Sequence, residues 1–336
     1  MFFDWAIRGT LGIGESYIEK KWDAIVPLDE MLARLQTFPS DKKHKLFKSW
    51  TVRFVHVATR IFNYQSQSRV GMVGAYHYNL GNDFFKLWLD KHYIQYSCGY
   101  FKGVKNHLDF ESAQENKLRV IAEKLKLEAG MRVLDIGCGW GGLACYLAKN
   151  YGVHVTSVTI SNEQLSGARE RAAKQGISHL TKFEYRDYRE MDEEYDRVVS
   201  IAMIEAVDYK NLDDCFTVVA RCLKDNRDAI VHGTASNRSL KVPIELWMLQ
   251  YIFPTGFVPS IAQTLEFAER KLVVEDVHNF GPDYEKTIGA THRPEVFVCM
   301  WDFYLLSCAA AFRTHVTQFS QVVFTKQRAQ RYDTVR

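Results

Sequence analysis

The segment "VLDIGCGWGGLACYLAKNYG", Val133 to Gly152, constrains the fold more than any other stretch of the chain. An apolar run reaches Asp135, glycines follow at Gly137, Gly139 and Gly141 with Gly142 behind them, and a helical pattern then runs to Gly152. Strand, glycine turn and helix in that order open a βαβ unit, and a glycine just past the last helical residue closes its helix. Downstream, "VHVTSVTI", "TKFEYRDY", "DRVVSIAMI" and "DAIVHGTA" read as further strands. The patterns "NEQLSGARERAAKQG" and "NLDDCFTVVARCLK" read as helices between them. This alternation predicts an α/β fold: a doubly wound, Rossmann-like parallel sheet whose ligand lies at the carboxyl ends of the strands.

What the loop holds is decided by charge. Gly137, Gly139 and Gly142 satisfy the dinucleotide fingerprint, but the acid expected about 20 residues on, for a ribose, is missing. The second strand ends instead in Val158, Thr159, Ile160 and Ser161. Asp135, at the mouth of the first strand, would oppose a diphosphate and attract an ammonium or a sulfonium. S-adenosylmethionine has both cations and no phosphate. The loop therefore favours this methyl donor and by itself leaves a dinucleotide open.

The rest of the chain sets limits. With 336 residues, 47% of them hydrophobic and 25% charged, it is a folded globule rather than a disordered chain. A net charge of +3 does not announce nucleic acid. Lys42, Lys43, Lys45 and Lys48, with Leu46, Phe47 and Trp50 among them, suit either anionic lipid headgroups or a solvated helix face. Seven cysteines without a C-x-x-C pair suggest neither a disulfide framework nor a metal site, and a reducing cytoplasm fits. The charged N-terminus reads as no signal peptide, and "VFVCMWDFYLLSCAAAFR", interrupted by Asp302, reads as a buried helix rather than a span. Leu28, Met31, Leu32 and Leu35 recur at helical spacing, so residues 1–70 are expected to form a small helical region and 71–336 the catalytic domain. Leu118, Ile121, Ala122 and Leu125 mark one more helical face just before the first strand.

Several blocks carry a more specific signal: "YHYNLGNDFFKLWLDKHYIQYSCGYF", "VTSVTISNEQ", "EYDRVVSIAMIEAV", "LQYIFPTGFVPS", "VVEDVHNFGPDYEKT" and "FSQVVFTK". In this order they resemble the cyclopropane fatty acid synthase family across nearly the whole chain, and "RGTLGIGESYIEKKWD" resembles the first domain of its longer bacterial members. The resemblance implies an S-adenosylmethionine-dependent C-methyltransferase that adds a methylene across the cis double bond of a phospholipid acyl chain. It further implies a bound bicarbonate as the base, held by Cys98, Glu205, His232 and Tyr284. Cys308 has the standing of a candidate nucleophile in such proteins, although an alanine-rich helix suits a structural cysteine better. Carried over residue by residue, the methyl-donor site comprises Tyr96, Ser97, Asp135, Gly137, Gly139, Gly141, Thr159, Gln164, Asp187 and Tyr188, with Asp187 accepting from the adenine amino group. Phe253 and Phe257 are candidates for the mouth of an acyl tunnel. The substrate places the protein at the inner face of the membrane as a peripheral, cytoplasmic enzyme, and the resemblance allows a homodimer.

The pattern departs from the family in four places. "EAVD" puts Ala206 and Asp208 where a histidine and a glycine are usual, which would loosen the anion site. "KDNRD" replaces a proline-glycine turn, the stretch between Tyr284 and Trp301 is shortened and would displace the tyrosine, and the N-terminal region reads as truncated. Two other readings stay open: methyl transfer to another lipid or a small amine, and a catalytically impaired relative that binds lipid or cofactor.

Overall fold

The computed structural model describes residues 5, 8–37, 81–240, 244–254, 256–291, 299–327 and 331–336. The lysines of the 42–48 stretch and the expected boundary at residue 70 lie outside them.

Helices α1 (Thr10–Ile18), α2 (Leu28–Thr37), the short α3 (Asn82–Lys86) and α4 (Phe110–Lys124) precede the sheet. Asp109 caps α4 by accepting the Ser112 N–H at 3.0 Å, which satisfies one of the donors a helix start leaves open. Then come β1 (Arg132–Ile136), α5 (Gly142–Tyr151), β2 (His154–Thr159), α6 (Asn162–Lys174), β3 (Thr181–Tyr185) and β4 (Tyr195–Ile201). The chain continues through α7 (Leu212–Cys222), β5 (Leu223–Ser236), α8 (Leu246–Tyr251), α9 (Ile261–Ala268), β6 (Val273–Asn279), α10 (Gly281–Ala290), α11 (Cys299–Arg313) and β7 (Thr317–Thr325).

Among the described residues seven strands form one sheet in the order β3-β2-β1-β4-β5-β7-β6. The first five run parallel, as the alternation predicts, and β1 is buried from Val133 to Ile136 because helices cover both of its faces. At one edge the sheet extends beyond the strands read from the alternation, and there β7 lies antiparallel to both β5 and β6. The chain order reverses beside β1, between β2 and β4, and the crevice at that point opens over the glycine loop.

Two apolar layers flank the sheet, one built around α4, α5 and α6 and the other around α7 and α9. A third core, rich in rings, lies beyond the strand ends and gathers Phe85, Trp88, Trp140, Trp247, Trp301 and Tyr304. Helices α1 and α2 pack into it against α11. A Cβ on Gly14 would fall onto the Trp247 ring, so glycine is required where α1 meets α8. Helix α11 is buried along Trp301, Phe303, Tyr304 and Leu305, as its apolar sequence predicts, and among the described residues no helix is long and apolar enough to cross a membrane.

Candidate active site

The glycine loop takes its shape from backbone geometry. Gly137 has φ 84°, and a Cβ there would approach the Met203 side chain to 2.8 Å. Gly139 has φ 51° and open space where a Cβ would stand, so the backbone is free to meet a ligand. The N–H groups of Gly137 and Cys138 both donate to Val158 O, at 3.0 and 3.2 Å, tying the turn to β2.

A cleft of about 1240 Å³, its open mouth included, lies over this loop. Its wall brings together Tyr96, Ser97, Asp135, Gly137, Gly139, Thr159, Gln164, Asp187 and Tyr188. Gly141 is not in the wall. Its left-handed φ of 72° starts α5, and a Cβ would meet the Ala168 methyl at 2.8 Å, so its work is the close packing of α5 on α6. Asp135 is 1% exposed, and burial pushes its carboxyl up to about 7, against one hydrogen bond from Ser157 Oγ at 3.3 Å. A cation entering the cleft would draw it back to the carboxylate. Thr159 Oγ1 donates to Gln164 Oε1 at 2.9 Å, fixing the amide at the end of β2. Asp187 is already engaged by Arg189, with Nη2 at 2.6 Å and Nε at 3.0 Å, an ion pair the sequence did not indicate. Gln95, Trp140, Met203 and Asn211 also line the cleft without having been anticipated.

Beyond the loop of residues 95–98 lies a second, drier group. Cys98 is fully buried, its thiol donates to Gly99 O at 3.2 Å, and Thr287 of α10 holds the next N–H at 2.9 Å. Burial raises the thiol well above its ordinary range, so it stays protonated. Glu205 Oε1 accepts the Thr234 N–H at 2.6 Å, while Oε2 is buried with no partner among the described residues. His232, on β5, is fully buried, and burial drives its pKa well below the usual value, which keeps the ring neutral. Gln321 Nε2 lies 3.2 Å from its Nδ1, and Nε2 has no partner among the described residues. With Nδ1 accepting from the amide, the proton sits on Nε2.

Tyr284 sits on α10 with its ring stacked on Phe312, centroids 4.4 Å apart, and edge-on to Phe319 at 5.0 Å. Phe319 in turn packs against His232 at 4.4 Å. The phenol feels Tyr96, Cys98, Glu205 and Cys308 through space, and burial holds it protonated. Of the four residues expected to surround an anion, Tyr284 lies within electrostatic reach of Cys98 and Glu205, and His232 is joined to it through the ring of Phe319 that both pack against. The shortening after Tyr284 falls partly on residues 292–298, which lie outside the described ones; the tyrosine itself is held by α11 and β7. Ala206 lines the cleft, and Asp208 caps a short turn by accepting the Lys210 N–H at 3.1 Å, leaving the Glu205 to Thr234 bond in place. Cys308 packs at the edge of the ring-rich core, and burial pushes its thiol up to about 12, the behaviour of a structural cysteine. Phe253 and Phe257 do not form one mouth: Phe253 lies 6.1 Å from Tyr304, whereas Phe257 is 3% exposed and packs with Tyr209 under α9.

With this geometry in view, comparison with known proteins decides the family. The family model for mycolic acid cyclopropane synthetase matches residues 65–322. The chain belongs to that family. It is accordingly an S-adenosylmethionine-dependent methyltransferase. It is 42% identical over 333 residues to the cyclopropane-fatty-acyl-phospholipid synthase of Escherichia coli K12, covering 95% of this chain and 84% of that one. A probable fatty acid methyltransferase of Pseudomonas putida is 32% identical over 272 residues, covering 75% and 68% of the two chains. Among solved structures, the cyclopropane synthase MmaA2 of Mycobacterium tuberculosis superposes with a TM-score of 0.69 at 25% identity, covering 76% of this chain and 97% of that one. Mycolic acid cyclopropane synthase CmaA1, complexed with SAH and CTAB, gives 0.69 at 27% identity over the same shares.

Proposed function

We propose that the protein transfers a methylene from S-adenosylmethionine to the cis double bond of unsaturated phospholipid acyl chains, forming cyclopropane fatty acids, with hydrogen carbonate as the base. The observation that carries this reading is the pair of buried atoms His232 Nε2 and Glu205 Oε2, each without a partner among the described residues, with the Tyr284 phenol in electrostatic reach of Glu205 and packed, like His232, on Phe319. Orphaned polar atoms of this kind are costly unless a ligand satisfies them. Hydrogen carbonate has the matching set: oxygens to accept from the histidine and the phenol, and an O–H to give to the glutamate.

When bound, S-adenosylmethionine supplies an electrophilic methyl and hydrogen carbonate supplies a site for the proton that must leave it. The chain's own residues bind, orient and keep the site dry. Asp135 attracts the cationic end of the donor, and Gly139 lets the backbone come close. Glu205, pinned by Thr234, and His232, pinned by Gln321, hold the anion in one orientation, which is where rate is gained or lost. The rings of Phe85, Trp88, Tyr96, Trp301 and Tyr304 exclude water and present their faces to developing positive charge. The acyl chain reaches this site from a membrane surface, with the protein at its inner face.

The test is direct. Liposomes containing a cis-unsaturated phospholipid are incubated with the protein and the methyl donor, and the acyl chains are then analysed by mass spectrometry. Each modified chain is expected to gain one CH₂ and lose its alkene. Intact donor binding with no change in acyl mass would overturn the proposal.

A further inference from the structure

We propose that Lys117 is a positioning residue that gives the cleft its grip on the carboxylate of the methyl donor's amino-acid tail, acting through Ser97 and Gln95. The inference rests on reading the cleft as the methyl-donor site.

Lys117 lies on α4 and is 1% exposed. Its Nζ donates to Gln95 Oε1 at 2.7 Å and to Ser97 Oγ at 2.8 Å, and both acceptors are neutral. Among the described residues it makes no salt bridge. The nearest carboxylate it feels, Asp90, is occupied with the N–H groups of Tyr93 at 2.6 Å, Ile94 at 3.1 Å and Gln95 at 2.5 Å. A buried ammonium without an anion is expensive, and here burial pushes it down to about 7. Such a cation makes physical sense where an anion arrives from outside.

The hydrogen bonds show how its charge reaches the cleft. Ser97 Oγ accepts from Lys117, so its own proton must point elsewhere, and it has no acceptor among the described residues. Both Ser97 and Gln95 line the cleft, and since the Gln95 amide already donates one proton to Tyr93 O at 3.5 Å, the serine hydroxyl and the second amide N–H are the donors available to a ligand there. A hydroxyl whose oxygen is bonded to an ammonium is polarised into a better donor. A carboxylate would meet polarised donors backed by a positive charge, the arrangement that makes charge-assisted hydrogen bonds strong.

The loop is also held in shape for this task. Ile94, a β-branched residue, has φ 50°, a conformation that persists only where its surroundings impose it. The Asp90 carboxylate imposes it from below, and Gln114, one turn before Lys117 on α4, donates to Ser97 O at 2.9 Å from the side. Thus Asp90, Gln114 and Lys117 fix the 93–97 loop.

The experiment compares two probes by calorimetry on the full chain: S-adenosylhomocysteine, and S-adenosyl-3-thiopropylamine, which keeps the amine and lacks the carboxylate. Wild-type protein should hold the first about tenfold tighter or more, the range for a hydrogen bond to a charged group. In K117M that preference collapses: affinity for S-adenosylhomocysteine falls by about tenfold, while the decarboxylated probe stays within about twofold. S97A should lose the same preference. Equal weakening of both probes would mean a merely structural lysine and overturns the proposal, as does an unchanged preference. A K117M enzyme that keeps its affinity but needs more bicarbonate for half-maximal turnover also overturns it, since the lysine would then serve the base. Should K117M fail to fold, K117Q carries the same comparison. If wild-type protein binds neither probe, the reading of the cleft itself fails, and the inference with it.

Discussion

At the scale of the residue, Asp135 is where stability and binding oppose one another. Its carboxyl is raised to about 7 by burial, against an ordinary value near 4. In the folded protein it therefore stays protonated through a range in which the unfolded chain ionises it, and the folded state loses stability as pH rises from about 4 toward 7. D135N is expected to raise the thermal midpoint of the ligand-free protein at pH 8 and leave it nearly unchanged at pH 4. A cationic donor reverses the balance, because it favours the carboxylate. Wild-type affinity for S-adenosylmethionine, measured relative to D135N, should climb between pH 6 and 8, and a flat ratio would remove Asp135 from the recognition of the cation. Asp135 was legible in the sequence because a carboxylate at the end of a first strand has few structural uses. Lys117 and Asp90 were not, although a clue was present: Gln114 and Lys117 lie one turn before Leu118 and Ile121, and Lys124 three residues after Ile121, which places polar groups on a buried face. A lysine in that register reads from sequence as the margin of the stripe, and only the fold shows that it is enclosed.

At the scale of the element, α4 is held to β6 by a buried charge pair. Lys124 Nζ lies 2.9 Å from Asp276 Oδ2, with side-chain exposures of 0% and 5%, and Arg336 also pairs with Asp276. The two cations hold the Asp276 carboxyl below the usual carboxylate range, so its contribution is complete above that range and is lost as pH falls below it toward the depressed value of the folded state. D276A leaves Lys124 buried without a counter-charge and is expected to cost about 3–5 kcal/mol in urea unfolding. The double variant K124M/D276L should recover most of that loss, and a double variant as unstable as D276A would show that the charges themselves matter. The parallel strands were legible because a helical period follows β1, β2 and β4, while β3 reaches β4 through a short turn without an α-helix. The reversal at β7 was not, since α10 and α11 separate β6 from β7 and no hairpin turn announces their antiparallel pairing. The sequence "FSQVVFTK" pointed to the family, yet only the register places Gln321 opposite His232.

At the scale of the whole molecule, two compartments meet at the loop of residues 95–98: an open cleft over the glycine turn and a ring-rich core beyond it, closed by α1, α8 and α11. G14L would drive a side chain into Trp247 and Phe303. Overpacking of this kind costs about 1–3 kcal/mol, and because the donor cleft is built elsewhere, affinity for S-adenosylhomocysteine should stay within about twofold while turnover on liposomes falls. A parallel loss of donor affinity would show that the two compartments are not separable. The fold was legible because a glycine loop followed by alternating strands and helices has few physical meanings, and the proposed donor cleft was read from that loop and the charge of Asp135. The proposed anion site was read only by resemblance, since Cys98, Glu205, His232 and Tyr284 come from four distant segments and none has a local pattern of its own. Whether those four residues serve ring closure is tested most directly with S-adenosylmethionine carrying a trideuterated methyl and liposomes of cis-unsaturated phospholipid. Removal of one deuteron by the base would leave a CD₂ bridge in the acyl chain with the alkene consumed, and E205Q would slow its formation by about 10²–10⁴ while still binding the donor. A product that keeps all three deuterons would mean methyl transfer without ring closure, and the anion site would have lost its function.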